Sequence, residues 1–145
     1  MSDKVRRVYV EKKKGFDVEA VGLFHDLRYN LGIEQLKAVR IINRYDIEGI
    51  SDEEYEKSKY TIFSEPPVDE VYDENIELDK NDRVIAVEYL PGQYDQRADS
   101  ASQCVQILTQ GERPEISTAK IIVLKGDISD DEYERIKNYC INPVE

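Results

Sequence analysis

Apolar and polar residues alternate with two different periods along the first third of the chain. Val8 and Val10 alternate with polar residues, which predicts a half-buried β-strand. The apolar residues that follow fall at helical spacing and predict an amphipathic helix, with Asp17 as its N-cap and Gly32 as its left-handed C-cap. The apolar positions of this helix are Ala20, Leu23, Phe24, Leu27 and Leu31.

A long extended segment and a short helix come next. Residues 36–47 are rich in β-branched side chains, which predicts a second strand. Ser51 and Glu54 have the spacing of a capping box, in which each side chain bonds a free backbone N–H of the other residue. They predict a helix that Pro66 and Pro67 must end, since proline cannot continue it.

The same order of elements follows in the second half of the chain. A strand is predicted from Arg83, then a loop over residues 90–93, then a helix to about Gln110 that Gly111 ends. A second strand covers residues 116–124 and Ser129 caps the last helix. The predicted apolar positions of the longer helix are Ala101, Cys104, Val105 and Leu108.

One stretch of sequence occurs twice. Residues 50–59 (ISDEEYEKSK) recur as residues 128–137 (ISDDEYERIK), 78 positions later and without a gap. Both copies contain a capping box, and both place a tyrosine, Tyr55 or Tyr133, one turn inside the helix. A capping box alone is common, but matched flanks at one fixed spacing indicate an internal duplication. The flanking matches pair residues 8–11 with 85–88, Gly15 with Gly92, 39–42 with 119–122, and 67–68 with 143–144.

The duplication predicts the domain organisation. Residues 1–64 form a first half, residues 65–82 an acidic connector and residues 83–145 a second half. A unit of about 65 residues buries too little surface to be comfortably stable alone, so the two copies are expected to pack together. The predicted fold class is α+β, with two tandem ferredoxin-like βαβα halves related by a pseudo-twofold axis and helices packed on an antiparallel sheet.

Charge is concentrated in the connector. The chain has a formal net charge of −11, and residues 65–82 contain eight acidic residues and one lysine. Such a segment is either a solvated linker or an arm that docks a partner, and both interpretations remain open. An acidic surface repels phosphate backbones, so we expect no nucleic-acid partner. No apolar run has membrane-spanning length and the N-terminus has no apolar signal core, so we expect no membrane partner and a cytoplasmic location.

Residues with catalytic or metal-binding potential are few. The sequence has no phosphate-binding glycine loop and no histidine or cysteine cluster with metal spacing, so we expect no catalytic, cofactor-binding or metal site in this chain. The lone histidine, His25, lies at the margin of an apolar stripe and is interpreted as structural. Cys104 and Cys140 lie in apolar helical stripes and are expected to be buried and reduced, although a disulfide or a Cys–His pair with His25 would be the alternatives.

The densest polar cluster is residues 91–103 (PGQYDQRADSASQ). Ser100 and Gln103 have capping-box spacing, and acidic residues at this position favour the start of a helix. Helix capping does not explain the remaining large polar side chains, and the corresponding loop of the first half is shorter. We therefore predict a surface here that docks another domain. Its residues are Gln93, Tyr94, Asp95, Gln96, Arg97, Asp99 and Ser100.

These residues also carry a resemblance to a known family. Residues 91–101 (PGQYDQRADSA) with Gln103 and Cys104 resemble the N-terminal region of the large, multidomain phosphoribosylformylglycinamidine synthase (PurL) of purine biosynthesis. Residues 25–32 (HDLRYNLG) and 126–129 (GDIS) are similar to it as well. In that family the region resembles two fused copies of the small PurS subunit.

The resemblance implies a structural role inside a larger enzyme. The family is a glutamine-dependent, ATP-using ligase in which a synthetase domain, expected to bind ATP and magnesium, receives ammonia from a glutaminase domain. The PurS-like region would bridge these two partner domains and support ammonia transfer, and the matched motif is not a catalytic one. The alternative is a stand-alone small-molecule sensor, because duplicated ferredoxin-like units often bind ligands between their halves. Catalysis by this chain alone is a third and more distant reading.

Overall fold

The computed structural model describes residues 5–90 and 92–141 of the chain. Pro91 of the predicted loop and residues 143–144 of the last flanking match lie outside the described residues. The strands are β1 (Val5–Lys12), β2 (Leu36–Glu48), β3 (Asp69–Asp73), β4 (Arg83–Glu88) and β5 (Glu115–Gly126). The helices are α1 (Val18–His25), continued by a π-helical turn over Asp26–Asn30, α2 (Asp52–Lys59), α3 (Gln96–Thr109) and α4 (Asp130–Cys140). Among these helices, none has the length and apolar character needed to cross a membrane.

The strands form one antiparallel sheet in the order β3-β1-β2-β5-β4. The α+β class predicted from the sequence is therefore correct. The two long strands β2 and β5 form the centre, where Ile41 lies opposite Ile122 and Asn43 lies opposite Lys120. Because facing residues of paired strands point to the same side of a sheet, these side chains share one face.

Two apolar clusters fill the space between the helices and this face of the sheet. In the first, Val105 of α3 packs with Val8 of β1 and Tyr45 of β2, although α3 comes from the second half of the sequence. In the second, Leu27 of the π-helical turn packs with residues of β4, β5 and α4, including Ile136. Both halves of the sequence therefore contribute to both clusters.

The opposite face of the sheet is covered in part by the acidic segment. Ile42 of β2 and Ile121 of β5 are buried there, and Ile76 packs against the cluster that they form. Residues 65–82, predicted as an acidic connector, include strand β3, which pairs with β1. The side chain of Asp82 is only 4% exposed and pairs with Lys125 of β5. The segment is thus part of the folded structure, and its acidic residues are not all solvated.

The two matched helices begin in the same way and are held on the sheet by the same contacts. The predicted capping boxes at Ser51 and Ser129 are both confirmed. Arg6 of β1 pairs with Asp52 and lies 5.2 Å from the centre of the Tyr55 ring. In the second half, Arg83 of β4 pairs with Asp130 and lies 5.2 Å from the centre of the Tyr133 ring.

Three predicted details are wrong. Asp95 is the N-cap of α3 and its carboxylate accepts the Ala98 N–H, so Ser100 lies inside the helix and forms no capping box. Gln110, with φ 57°, has the left-handed conformation expected of Gly111, whereas Gly32 has it as predicted. The match of residues 39–42 with 119–122 puts Val39, on the helix-bearing face, against Ala119, on the opposite face. A shift by an odd number of residues causes this reversal.

Candidate functional site

Helices α1 and α3 leave a groove between them on the helix-bearing face of the sheet. Its volume is about 800 Å³. The floor is formed by β2 and β5 at the centre of the sheet, one wall by α1, and the other by the loop before α3 and its first turn. The far end is closed by the last turn of α4. Polar lining residues include Glu19, Asp26, Asn43, Gln93, Arg97, Thr118, Lys120 and Tyr139.

The positively charged side chain of Lys120 lies on the groove floor at the middle of the sheet. Lys120 of β5 points into the groove and forms an ion pair with Glu19 of α1. Asn43 of β2 lies directly opposite Lys120 in the strand register, so its amide reaches the same part of the groove. The apolar part of the floor is formed by Ile41 and Ile122. The floor therefore offers hydrogen-bonding groups on an apolar background, which is the usual composition of a ligand-binding surface.

The walls carry the remaining polar groups. Arg97 of α3 is exposed, and within residues 5–90 and 92–141 it has no hydrogen bond or ion pair. At the end formed by α4, the Tyr139 hydroxyl donates to Asp26 over 3.4 Å, and Cys140 lines the groove. A second cavity of about 510 Å³ is lined by the start of α1 and by residues 61–65, and it shares Glu19, Asn43 and Arg97 with the first. Arg97 therefore lines both cavities.

A partly buried hydrogen-bond network positions this wall. One oxygen of Asp95 accepts the N–H of Ala98 over 3.0 Å and so caps α3. The other accepts the backbone N–H of Thr118 on β5, also over 3.0 Å. A carboxylate that accepts several N–H and O–H bonds is well satisfied when half-buried. Asp95 therefore fixes the start of α3, and with it Arg97, to the central strand.

The structure gives the other predicted docking residues different roles. Gln93 accepts the N–H of Leu90 over 2.6 Å, so its side chain closes the loop. The Tyr94 hydroxyl donates to Asp99 over 2.8 Å, which raises the pKa of Tyr94, and Asp99 also pairs with Arg113. These contacts explain large polar side chains that capping alone does not. Gln96, Arg97 and Ser100 are exposed on the first turns of α3.

The groove residues Glu19, Asn43 and Lys120 were not among the residues predicted from the sequence. An indirect signal was present in the repeat. Glu19 and Arg97 lie 78 positions apart, and Asn43 and Lys120 lie 77 apart, close to the offset of the duplicated stretch. Subtracting the repeat offset of 78 from position 97 gives Glu19, which lies on the opposite wall of the groove.

The two thiols and the histidine lie on three different helices. His25 is exposed and stacks on Tyr29, with 5.5 Å between ring centres. Cys104 is exposed on α3, which corrects the expectation of a buried thiol, and Cys140 is partly buried. Burial raises the pKa of Cys140, which favours the unreactive thiol. In the part of the chain that the structure describes, no three metal-ligating side chains are grouped to hold an ion.

Comparison of the chain with protein-family models, with curated proteins and with solved structures found no match. Function is therefore inferred from the residues and their geometry. These provide a groove that can hold a polar group, and an exposed arginine beside a firmly positioned loop.

Proposed function

We propose that this chain is the PurS-like assembly domain of phosphoribosylformylglycinamidine synthase, acting in the cytoplasm. In this role it binds the synthetase and glutaminase domains, supports ammonia transfer between them and catalyses no step itself. The observation that carries the proposal is the motif at residues 91–101, which resembles the family and presents Gln96 and Arg97 to solvent. An exposed arginine on a rigid element is a common anchor of protein interfaces.

The proposal includes a duplicated architecture of two βαβα halves related by a pseudo-twofold axis. The matched contacts of Arg6 and Arg83, which are 77 positions apart, support it. So does the pattern of α1 and α3, where buried Ala20 and Leu27 correspond to buried Ala98 and Val105 at an offset of 78. With an offset of 77 in the strands, the axis passes through the facing pair Asn43 and Lys120.

This architecture suits a scaffold because its shared clusters hold the outer surfaces in fixed positions. Two small units with a common interior behave as one body, so a partner bound on one half is oriented relative to a partner bound on the other. The departures from symmetry are the places for specific contacts. At the groove, one wall carries the anion Glu19 and the other the cation Arg97.

The proposal is tested by assembly. The protein is mixed with the synthetase and glutaminase portions of the enzyme, produced without their own N-terminal region, and complex formation is followed by gel filtration and titration. We expect a complex that the double variant Gln96→Ala/Arg97→Ala weakens by about thirtyfold, because truncating an interface anchor costs about 2 kcal/mol. Lys57→Ala, an exposed change on α2, is the matched control.

Thermal unfolding of the same variants separates docking from folding. Gln96 and Arg97 are exposed, so their removal is expected to leave the melting temperature of the isolated domain unchanged. Absence of any complex would contradict the proposal. A parallel loss of stability and of binding would show that these residues act in folding.

The groove supports a second candidate, a stand-alone sensor that binds a small anionic metabolite. The observation that favours it is the volume of about 800 Å³ with Lys120 on the floor and Arg97 on the wall. A ligand at a hundred times its Kd would stabilise the fold by about 2.7 kcal/mol. A thermal-shift screen of nucleotides, amino acids and organic acids tests this idea, with Lys120→Met as the variant that must abolish any shift. No shift with any of them would contradict this second candidate.

A further inference from the structure

The two flanks of the sheet differ in how they are covered. On one side, β3 lies along β1, with Val71 opposite Val10 and Asp73 opposite Val8. On the other side β4 is the outer strand, and within the described residues no strand pairs with its free flank. A free strand flank presents unpaired N–H and C=O groups that can pair with another extended segment.

Two side chains of α2 hold β3 in its place. Asp73 accepts hydrogen bonds from the Tyr55 hydroxyl and from Lys59, whose Nζ lies 2.9 Å from the carboxylate. Burial raises the pKa of Asp73, but these two hydrogen bonds lower it by more than burial raises it. The net pKa of Asp73 is therefore below the ordinary value. Val71, on the same face of β3, packs against the adjacent apolar cluster. An apolar residue followed two positions later by an acid is therefore the pattern that this flank accepts.

Helix α4 carries the same pair at the other flank. Tyr133 and Lys137 are four residues apart, as Tyr55 and Lys59 are, so each pair lies on one side of its helix. The matched contact of Arg83 with Tyr133 shows that α4 is oriented over β4 as α2 is over β1. The Tyr133 hydroxyl donates to the backbone carbonyl of Val84 on β4, over 2.9 Å, whereas the carbonyl at the matched position, Arg7, accepts the N–H of Glu74 just after β3. A segment that pairs with Val84 would therefore displace this hydroxyl. Lys137 is exposed and, in the described part of the chain, pairs with no acid.

We propose that the free flank of β4 binds an extended acidic segment of a partner protein, which adds a sixth strand to the sheet as β3 adds the fifth. The carboxylate of that segment pairs with Lys137, and an apolar residue two positions before it packs beside Tyr133. Backbone pairing supplies affinity and the acid supplies specificity, as in other cases of strand addition. Strand addition at β4 is inferred from the matched contacts of the two helices and does not depend on the proposed function.

A tethered probe tests this surface. A copy of residues 67–75 (PVDEVYDEN), the segment that contains β3, is joined to the C-terminus of the whole chain through a flexible glycine–serine linker. The tether keeps the probe at millimolar effective concentration, so binding does not depend on high affinity. Amide hydrogen exchange is then measured residue by residue. We expect protection of the amides in residues 84–88 that do not already bond to β5 to rise by about tenfold, as for a probe at ten times its Kd.

Two controls show whether the pairing is specific. A probe in which the copies of Asp69 and Asp73 are asparagine, and separately the protein change Lys137→Glu, are expected to remove most of the added protection. Lys57→Ala, at an exposed position of α2, must leave it unchanged. The chain without a probe is examined by analytical ultracentrifugation over a range of concentrations.

Three results would overturn the proposal. The first is unchanged exchange in residues 84–88 with the tethered probe. The second is protection that survives Lys137→Glu, because the acid would then have no role. The third is a concentration-dependent dimer of the chain without a probe in which residues 84–88 are protected, because the flank would then bind a second copy. None of these measurements involves the synthetase or the glutaminase. A result that overturns strand addition at β4 therefore does not bear on the proposed function.

Discussion

Gly126 at the end of β5 lies so close to Gln35 that a Cβ atom at position 126 would be less than 3.0 Å from the Gln35 carbonyl oxygen. Its φ of +132° is also rarely adopted by other residues. We expect Gly126→Ala to destabilise the protein by roughly 1–3 kcal/mol, since the backbone must shift. Urea unfolding measures the change.

The matched control is Gly22, in the middle of α1. A Cβ there meets no atom within 4 Å, and its backbone is helical. Gly22→Ala is expected to stabilise the protein by roughly 0.5–1 kcal/mol, because alanine loses less conformational freedom than glycine in a helix. Equal effects of the two alanines would show that the close approach at Gly126 is not a constraint.

Ile136 of α4 is completely buried in the cluster that contains Leu27. Ile136→Ala is expected to cost about 2–5 kcal/mol, from lost burial and from the cavity that remains. Ile107 of α3 is 75% exposed, so Ile107→Ala should change stability by less than about 0.5 kcal/mol. Denaturant midpoints of the two variants check the difference, and similar midpoints would contradict the described position of α4.

Asp82 makes the stability dependent on acid. Burial raises the pKa of Asp82, but the hydrogen bonds from Lys125 and from the Asp79 N–H lower it more, and the net pKa lies below the ordinary 3.8. As the pH falls, the Asp82 carboxylate is protonated at a higher pH in the unfolded chain than in the folded protein. The stabilisation that Asp82 provides is therefore present above pH 3.8 and is lost as the pH falls through the folded pKa.

Asp82→Asn is expected to cost about 1–3 kcal/mol at pH 7 and progressively less as the pH falls below 3.8 through the lowered pKa of the folded state. Urea unfolding at pH 7, 4 and 3 measures this convergence with the unmodified protein. Glu112→Gln, at an exposed position before β5, should track the unmodified protein at every pH. A penalty for Asp82→Asn that stays constant with pH would rule out the ion pair as its cause.

The two thiols should react at different rates. Cys104 is exposed on α3, whereas Cys140 is partly buried and burial raises its pKa. At pH 8 a thiol-specific reagent is expected to modify Cys104 first, since the thiolate is the reacting form and access is required. Peptide mapping after partial modification, with Cys104→Ser as control, gives the order. Faster labelling of Cys140 would contradict the described packing of α4.

The sequence predicted the features that depend on neighbouring residues. The capping boxes at Ser51 and Ser129 form through side chains three residues apart, and the left-handed Gly32 depends only on its own backbone. Strand β2 was expected over residues 36–47 and extends over Leu36–Glu48, because its β-branched residues also meet partners on both sides. Local chemistry and packing agree at these positions.

The features that depend on distant residues were not predictable. Strand β3 has three acids in five residues, and only its pairing with β1 and the contacts of Asp73 with α2 make it a strand. The groove is formed where α1 and α3 fail to meet, and no periodicity reports a gap between helices. Cys104 lies near the edge of an apolar stripe, and which edge is covered depends on the tertiary packing of α3.

Each apolar cluster contains residues from both halves of the sequence, and this affects folding during translation. Leu27 is made early, yet its neighbours Leu124 and Ile136 leave the ribosome about a hundred residues later. The apolar side chains around Leu27 therefore stay exposed to solvent until residues 124–136 have been translated. A nascent chain halted near residue 90 should bind chaperones, and one extended past α4 should be released from them.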